Sequence, residues 1–508
     1  MRIPLRLGLA VAVVIPLLAV LLKPVVPAHA DTVSTKPNIV MILLDDLDET
    51  TSPYWDAMPI TKSLIQTHGV TFKNAFAPTP ICCPARSTIL TGKYGHNTGV
   101  LTNGGDRGGW ATFVAHGNED HTFPLWLQQN GYHTGLIGKY LNGIEAQPEH
   151  IPPGWSEWYG AVDNFFYSGY DYKLNENGTM VSYGHQESDY STDVVSRKAT
   201  DFIRRVKQNG DKPFMLYVAP TAPHLPLPPA PRHADNPYKH ANAPERPNYQ
   251  EKDLSDKPSW LRLTGVQRKA IVELWNNFDY RNRMGSLYAA DEMVGAIVDA
   301  LKETGQLENT WIVFTSDNGY NLGAHRLIHK MAPYEESIRV PLVIIGPGVP
   351  DSMQGKSVSQ MVLESDFAPT FAELAGVPVP SDVDGNSLVG ILSGKPPANW
   401  RHDMIMQYVT NGAANGIGQE LPPWLFVAIG QEIPTYKAVR TESHLYVEWY
   451  DDDKPFHEKE LYDLNADPYE LNNVLSTAKG KAENKALTDT MAARLLELEA
   501  CKGENCRY

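Results

Sequence analysis

The chain has 508 residues, 42% hydrophobic and 20% charged, with a formal charge of −15. That balance excludes collagen, coiled coil and wholesale disorder. The acidic excess argues against nucleic acid as a partner, because a duplex selects a basic face.

Residues 1–30 read as a secretory signal peptide. Arg2 and Arg6 form a basic start, Leu7–Leu22 is apolar, and Ala28-His29-Ala30 is a small-x-small cleavage site before Asp31. An uncleaved anchor is the weaker alternative, since Lys23, Pro24 and Pro27 interrupt the end of a short run. Arg2, Arg6 and Lys23 are its only charges, so the remaining chain stands at −18. No later stretch reaches spanning length. A secreted or extracytoplasmic protein without a stable membrane span is expected.

Asn38–Leu44 (NIVMILL) is a continuous apolar run ending in Asp45-Asp46. Such a run fits a strand buried on both faces. Further strand candidates are His133–Lys139, Pro213–Ala219, Thr310–Thr315 and Val340–Ile345. Helical patterns fall between them, over Ser191–Asn209 with Gly210 as a stop, and over Asn277–Thr304 ending at Gly305. The alternation predicts an α/β fold, a large mostly parallel sheet sandwiched by helices. Ligands then bind at the carboxyl ends of strands. Asp45-Asp46, Lys139 and Asp317-Asn318 stand at three such ends. The stretch 220–261 is rich in Pro, His and charge, and its length marks a functional loop. After Gly376 the pattern changes. Met404–Val409, Tyr436–Thr441 and Ser443–Tyr450 read as antiparallel strands, followed by a helix around Ala482–Leu498. The expected organisation is a leader (1–30), a catalytic domain (31–376) and a smaller C-terminal α+β subdomain (377–508). Asp451-Asp452-Asp453 reads as a solvated turn.

The four cysteines form two close pairs. Cys501 and Cys506 suit one disulfide closing a short loop in an exported protein. Cys82 and Cys83 are adjacent and would bridge only under strain. Cys82 and Arg86, four residues apart at a helix start, would put sulfur at the positive helix end beside a cation. Those conditions favour a thiolate or a bound anion, although a buried structural Cys fits as well. Asp45, Asp46, Asp317 and Asn318 offer oxygen donors for a hard cation such as Ca²⁺ or Mg²⁺ rather than zinc.

The stretch Cys82-Cys83-Pro84-Ala85-Arg86, followed by Ser87-Thr88-Ile89-Leu90-Thr91-Gly92, resembles the C-x-P-x-R signature of the formylglycine-dependent sulfatases. That family lies within the alkaline-phosphatase-like superfamily. Further matches are Gly138-Lys139-Tyr140, Ala222-Pro223-His224, Thr315-Ser316-Asp317-Asn318-Gly319, Arg339-Val340-Pro341 and Glu460-Leu461-Tyr462-Asp463. The resemblance implies that a formylglycine-generating enzyme oxidises Cys82 to Cα-formylglycine, with Cys83 a bystander. One hydroxyl of the hydrated aldehyde would attack sulfur, giving a covalent sulfo-enzyme. The second would expel sulfate and regenerate the aldehyde. It further implies that Asp45, Asp46, Asp317, Asn318 and residue 82 hold Ca²⁺, with Mg²⁺ as the other option. Arg86 would hold the diol, Lys139 and Lys330 the sulfate, and His224 the sulfate or the leaving alcohol.

One position departs from the pattern. Many relatives carry His two or three residues after the lysine matched by Lys139, where this chain has Leu141 and Asn142. Asn142 can orient but not act as a base, so His224, water or a ligand carboxylate is left to take that proton. Asn142 and His325 are candidate substrate-binding residues. The sequence is most similar to the N-acetylglucosamine-6-sulfatase branch, which implies a sulfated sugar or glycosaminoglycan substrate; aryl sulfates are compatible. Trp155, Trp158 and Tyr159 are candidates either for sugar stacking or for packing. The competing readings are a phosphonate or phosphate ester hydrolase of the same superfamily, and an inactive glycan-binding protein.

Overall fold

The computed structural model describes Met1 and residues 36–49, 53–210, 212–262, 267–410, 433–451 and 456–508. The expected leader lies outside the described residues except for Met1, as do Asp452 and Asp453 of the acidic run. Lys36–Tyr508 form one unit. Its strands, in chain order, begin with β1 (Asn38–Leu44), β2 (Val70–Phe76), β3 (His133–Gly138) and β4 (Glu157–Ala161). Next come β5 (Lys173–Glu176), β6 (Thr179–Ser182), β7 (Phe214–Ala219) and β8 (Thr310–Ser316). A two-residue hairpin, β9 (Asn321–Leu322) and β10 (Ile328–His329), precedes β11 (Leu342–Ile345) and β12 (Ser357–Leu363). The C-terminal part contributes β13 (Asp403–Tyr408), β14 (Thr435–Thr441), β15 (His444–Asp451) and β16 (Phe456–Asp463).

The large sheet has ten strands in the order β12-β2-β11-β8-β1-β7-β3-β4-β5-β6. Its centre, β8-β1-β7-β3-β4, is parallel throughout. Antiparallel pairs flank it on both sides. β1 is buried at every position because both faces are covered. Ile39, Met41 and Leu43 enter one hydrophobic core, and Val40, Ile42 and Leu44 the other, as a two-residue period requires. The helices Ser191–Gln208 and Gln267–Glu303 cover the second core. The helices Cys82–Thr91 and Phe367–Leu374 cover the first. β13 to β16 form a separate antiparallel sheet against which the helix Lys485–Glu499 packs.

The long helix begins at Gln267 rather than Asn277. No Gly or Pro intervenes between those positions, so nothing stops it sooner. β2, β4 to β6, β9, β10, β12 and β16 have no counterpart among the expected strands. Val70–Phe76 and Phe456–Asp463 carry internal charge, and β5 and β6 are four-residue strands of mixed polarity at one margin of the sheet, so none of these shows a continuous apolar run.

Register sets up the site. Asn38 to Leu44 pair in step with Thr310 to Ser316, so Asp45 and Asp317 leave the sheet side by side. Gly138 is level with Ala219, so Lys139 and the segment leading to His224 leave the same end.

One ion network staples β3 to β4. Glu157 accepts from His133 Nε2 (2.9 Å), Tyr159 Oη (2.9 Å) and Arg205 Nη2 (2.6 Å). Burial works against ionisation, but the bonds from His133, Arg205 and Tyr159 outweigh it and hold the carboxyl at about 2. A lowered folded value stabilises above the ordinary 4.5, and that contribution is lost as the pH falls through about 2. Glu157→Gln is expected to cost on the order of 1 kcal/mol at neutral pH. The deficit should shrink towards zero across that acid window. Urea melts at both ends of the window check it, and a pH-independent deficit would refute the charge argument.

Candidate active site

The helix Cys82–Thr91 starts at its own nucleophile candidate. Ile81 is extended (φ −154°, ψ 141°) and Cys82 is the first helical residue. Pro84 is tolerated because first-turn N–H groups lack intrahelical partners. Arg86 follows one turn later, on the face that Cys82 occupies. Gly92 ends the helix in the left-handed region (φ 73°), where a Cβ would meet Val383 Cγ1 at 2.8 Å. All ten helical residues are buried.

Five chain segments converge on the Cys82 sulfur. Lys330 Nζ lies 3.1 Å from Sγ, and 2.7 and 2.9 Å from the two carboxylate oxygens of Asp46. Asp45 Oδ1 lies 3.7 Å from Sγ. Lys139 Nζ donates to Asp45 Oδ2 at 2.5 Å. Arg86 Nε donates to Asp317 Oδ2 (2.7 Å) and its Nη1 to the Lys139 carbonyl (3.1 Å), with Nη2 3.5 Å from Asp45. His224 donates from Nδ1 to the Leu225 carbonyl, which aims Nε2 at Asp46 Oδ2, 3.6 Å away. Asp46 itself takes a left-handed backbone (φ 69°), and its N–H donates to Asp317 Oδ1 at 3.1 Å.

Charge is the organising principle of this site. Burial alone would neutralise Asp45, but Lys139, His224 and Arg86 outweigh it and hold the carboxyl below the usual range. Burial likewise works against charge on Lys139 and Arg86. Asp45 and Cys82 raise Lys139 nonetheless, and Asp317 and Asp45 raise Arg86. Asp45, Lys139 and Arg86 therefore stay ionised at neutral pH. Cys83 differs: its thiol is buried in the first core and pushed up to about 12 by burial.

The site can hold a cation. Asp45, Asp46, Cys82 and His224 each place a ligand atom within 4.8 Å of the others. Asn318 donates from Nδ2 to Asp46 Oδ1 at 2.7 Å, and its Oδ1 is buried without a hydrogen-bond partner. A buried amide oxygen beside carboxylates fits a hard divalent ion.

A sulfatase family model matches residues 37–377. The chain belongs to the sulfatase family. This sulfatase is 35% identical to human N-acetylglucosamine-6-sulfatase over 496 residues, covering 93% of this chain and 86% of that one. It is 33% identical to an arylsulfatase of Chlamydomonas reinhardtii, covering 94% and 76%. A solved structure described as a complex with D-glucosamine-2-N,6-O-disulfate superposes with a TM-score of 0.72 at 26% identity, covering 92% and 98%. The protein is a sulfuric ester hydrolase with the alkaline-phosphatase-like fold.

Two further residues beside the Cys82 cluster carry no sequence signal. Tyr167 packs against His224 with ring centroids 4.7 Å apart and the rings tilted by 51°, and Lys139 Nζ lies 5.0 Å from its ring centre. Arg283, on the long helix, donates to the Asp46 carbonyl and sits over the Tyr320 ring at 4.1 Å. Neither belongs to a motif; only the fold carries them to the sheet end. Asn142 is half-buried and lines a small cleft with Lys139, Glu145, Asp163 and Tyr167. Its Oδ1 has no hydrogen-bond partner. Trp155 and Trp158 belong to the first core, so packing accounts for them. Cys501 and Cys506 form a disulfide.

His325 is not brought to the sulfur. Its Nδ1 pairs with Glu251 Oε2 at 2.6 Å, and its Nε2 lies 3.9 Å from Glu470 Oε2. Burial works against its protonation, but Glu251 and Glu470 outweigh it and lift the imidazole to about 9.

Proposed function

We propose that this sulfatase is exported, matures Cys82 to Cα-formylglycine, and removes sulfate from sugar monoesters of the glucosamine 6-sulfate type. Aryl sulfates would serve as good-leaving-group surrogates. The observation that carries the reading is the placement of Cys82 Sγ between Lys330 Nζ and Asp45 at a helix N-terminus. The human relative's name and the disulfated glucosamine in the similar structure support the sugar assignment. The basic start, apolar run and small-x-small site support a mature chain from Asp31, with a catalytic domain to 376 and a C-terminal subdomain from 377.

The chain's own groups divide the work. Lys139 and Lys330 neutralise the sulfuryl oxygens, which a protein of net negative charge must do locally. Arg86 fixes Asp317 and Asp45 and, with them, the orientation of residue 82. His224, held by Leu225 and Tyr167, presents Nε2 to the leaving oxygen or to the sulfate. Asp45, Asp46, Asp317 and Asn318 would hold Ca²⁺ or Mg²⁺, which would polarise the sulfuryl group and acidify a bound hydroxyl. The hydrated aldehyde at residue 82 would supply that hydroxyl.

The deciding experiment is a mass spectrum of the residue 82 peptide from protein made in its own host. Formylglycine replaces sulfur and two hydrogens with one oxygen and removes an alkylation site. An unmodified, alkylatable Cys82 in active protein would overturn the mechanism. A parallel screen should show sulfate release from glucosamine 6-sulfate and from an aryl sulfate. Removal of Ca²⁺ by a calcium-selective chelator is expected to lower activity by about tenfold or more and to lower the melting temperature. Added Ca²⁺ should restore both; unchanged activity would refute calcium as the ion held there.

A further inference from the structure

A second cluster lies apart from the sulfur. Each of His325, Glu336 and Glu470 places a ligand atom within 4.8 Å of the others, and all three side chains are buried. We propose that this cluster is a second cation site, one that takes a divalent transition ion of the zinc class and clasps three chain segments together.

Four observations support it. Glu336 Oε2 and Glu470 Oε1 are buried and have no hydrogen-bond partner, and the residues are 3% and 0% exposed. Leaving a buried carboxylate oxygen unmatched is costly, so a partner is called for. Asn248 adds a third unpartnered oxygen, Oδ1, while its Nδ2 lies 3.4 Å from His325 Nε2 and 2.8 Å from Glu336 Oε1. Exchanging the two ends of that amide would aim the oxygen inward.

The imidazole is oriented as a ligand. Glu251 takes Nδ1–H, which leaves Nε2 facing Glu336 and Glu470. A carboxylate behind a histidine fixes the tautomer and raises ligand basicity. The cation would take the place of the proton on Nε2.

Charge balance agrees. Burial pushes the Glu470 carboxyl up to about 8, so Glu251, Glu336 and Glu470 bring three negative charges once an ion displaces the proton there. Lys257 Nζ lies 3.5 Å from Glu251 and donates to the Glu470 carbonyl at 2.8 Å. One ammonium and one divalent ion, with His325 neutral, match those three charges, and Asp256 at 3.3 Å shares the same ammonium. The neighbouring acids are already matched: Glu335 by Arg440 and Arg339, and Glu460 by Tyr334, Trp449 and Tyr462.

The donor set also discriminates. Imidazole nitrogen with two carboxylates suits zinc-class ions better than Ca²⁺, whereas the Asp45–Asp317 set offers oxygen. The three ligands come from the hairpin preceding Lys330 (His325), the helix Glu335–Ile338 (Glu336) and the C-terminal part (Glu470), with Asn248 of the 220–261 loop beside them. The ion would therefore hold the Lys330 segment against both neighbours. The proposal is independent of how residue 82 is modified.

The test uses the full mature protein, stripped with chelator, saturated with Ca²⁺, then loaded with Zn²⁺ and desalted. About one tightly held zinc per chain is expected beside calcium. The double variant Glu336→Gln with Glu470→Gln should lose it while keeping calcium. Where that variant fails to fold, Co²⁺-loaded wild type provides the reading, with X-ray absorption expected to show one imidazole ligand in an otherwise oxygen shell. No zinc retained in the presence of Ca²⁺, zinc retained by the double variant, or a cobalt shell without imidazole would each overturn the proposal.

Discussion

Cys82→Ala is expected to lower kcat/KM for aryl sulfate by about four orders of magnitude or more, because it deletes the atom around which the site is assembled. Lys330 Nζ and Asp45 Oδ1 both lie within reach of that sulfur, and nothing in alanine replaces it. The fold should survive. The substitution removes one small buried group, worth about 1 kcal/mol. Cys83→Ala is the matched control. Its thiol points into the first core, with the Asn142 carbonyl at 4.0 Å and Ser87 beside it. It should retain activity within about threefold, at a similar cost in stability. Initial rates on both variants, with thermal melts, make the test. Activity of Cys82→Ala within tenfold of wild type would sink the assignment of residue 82, and equal losses in both variants would indicate a packing effect.

Arg86→Ala is expected to be the most destabilising single change in the site, at about 3–5 kcal/mol. The guanidinium is fully buried and bonds Asp317 directly, approaches Asp45, and caps the Lys139 carbonyl. Its removal strands buried carboxylates that the lysines alone do not cover. Arg86→Lys should recover little, since one ammonium cannot reproduce donors pointing in three directions. Activity should fall with stability in both variants. Denaturant melts of calcium-saturated protein provide the measurement. A loss below about 1 kcal/mol for Arg86→Ala would show that the ion cluster does not depend on this cation.

Much of this architecture was legible in one dimension. NIVMILL reads as a doubly buried strand because every one of its residues is apolar, and β1 has those bounds. Gly210 and Gly305 stop the helices where expected, since each takes a positive φ. Short strands near the sheet margin escaped notice because their faces need not be apolar; β6 is the edge strand and β5 pairs it to β4. The start of the long helix was missed because its first turns carry charge as well as apolar residues.

By itself the sequence determined the chemical inventory: paired acids at strand ends, a Cys and an Arg one helical turn apart, and a stop at Gly92. These are local facts, set by residue type and by the 3.6 and 2.0 periods of the backbone. Of the 44 Lys and Arg side chains, the family resemblance singled out Arg86, Lys139 and Lys330, and the tertiary structure adds Arg283 beside them. Asp46 and Lys330 are 284 residues apart and meet only because β1 and β8 share a register. The same long-range packing put Tyr167 against His224 and drew His325 away to Glu251. Contacts of that kind are set by burial and charge pairing across the whole fold, which spacing along the chain does not encode.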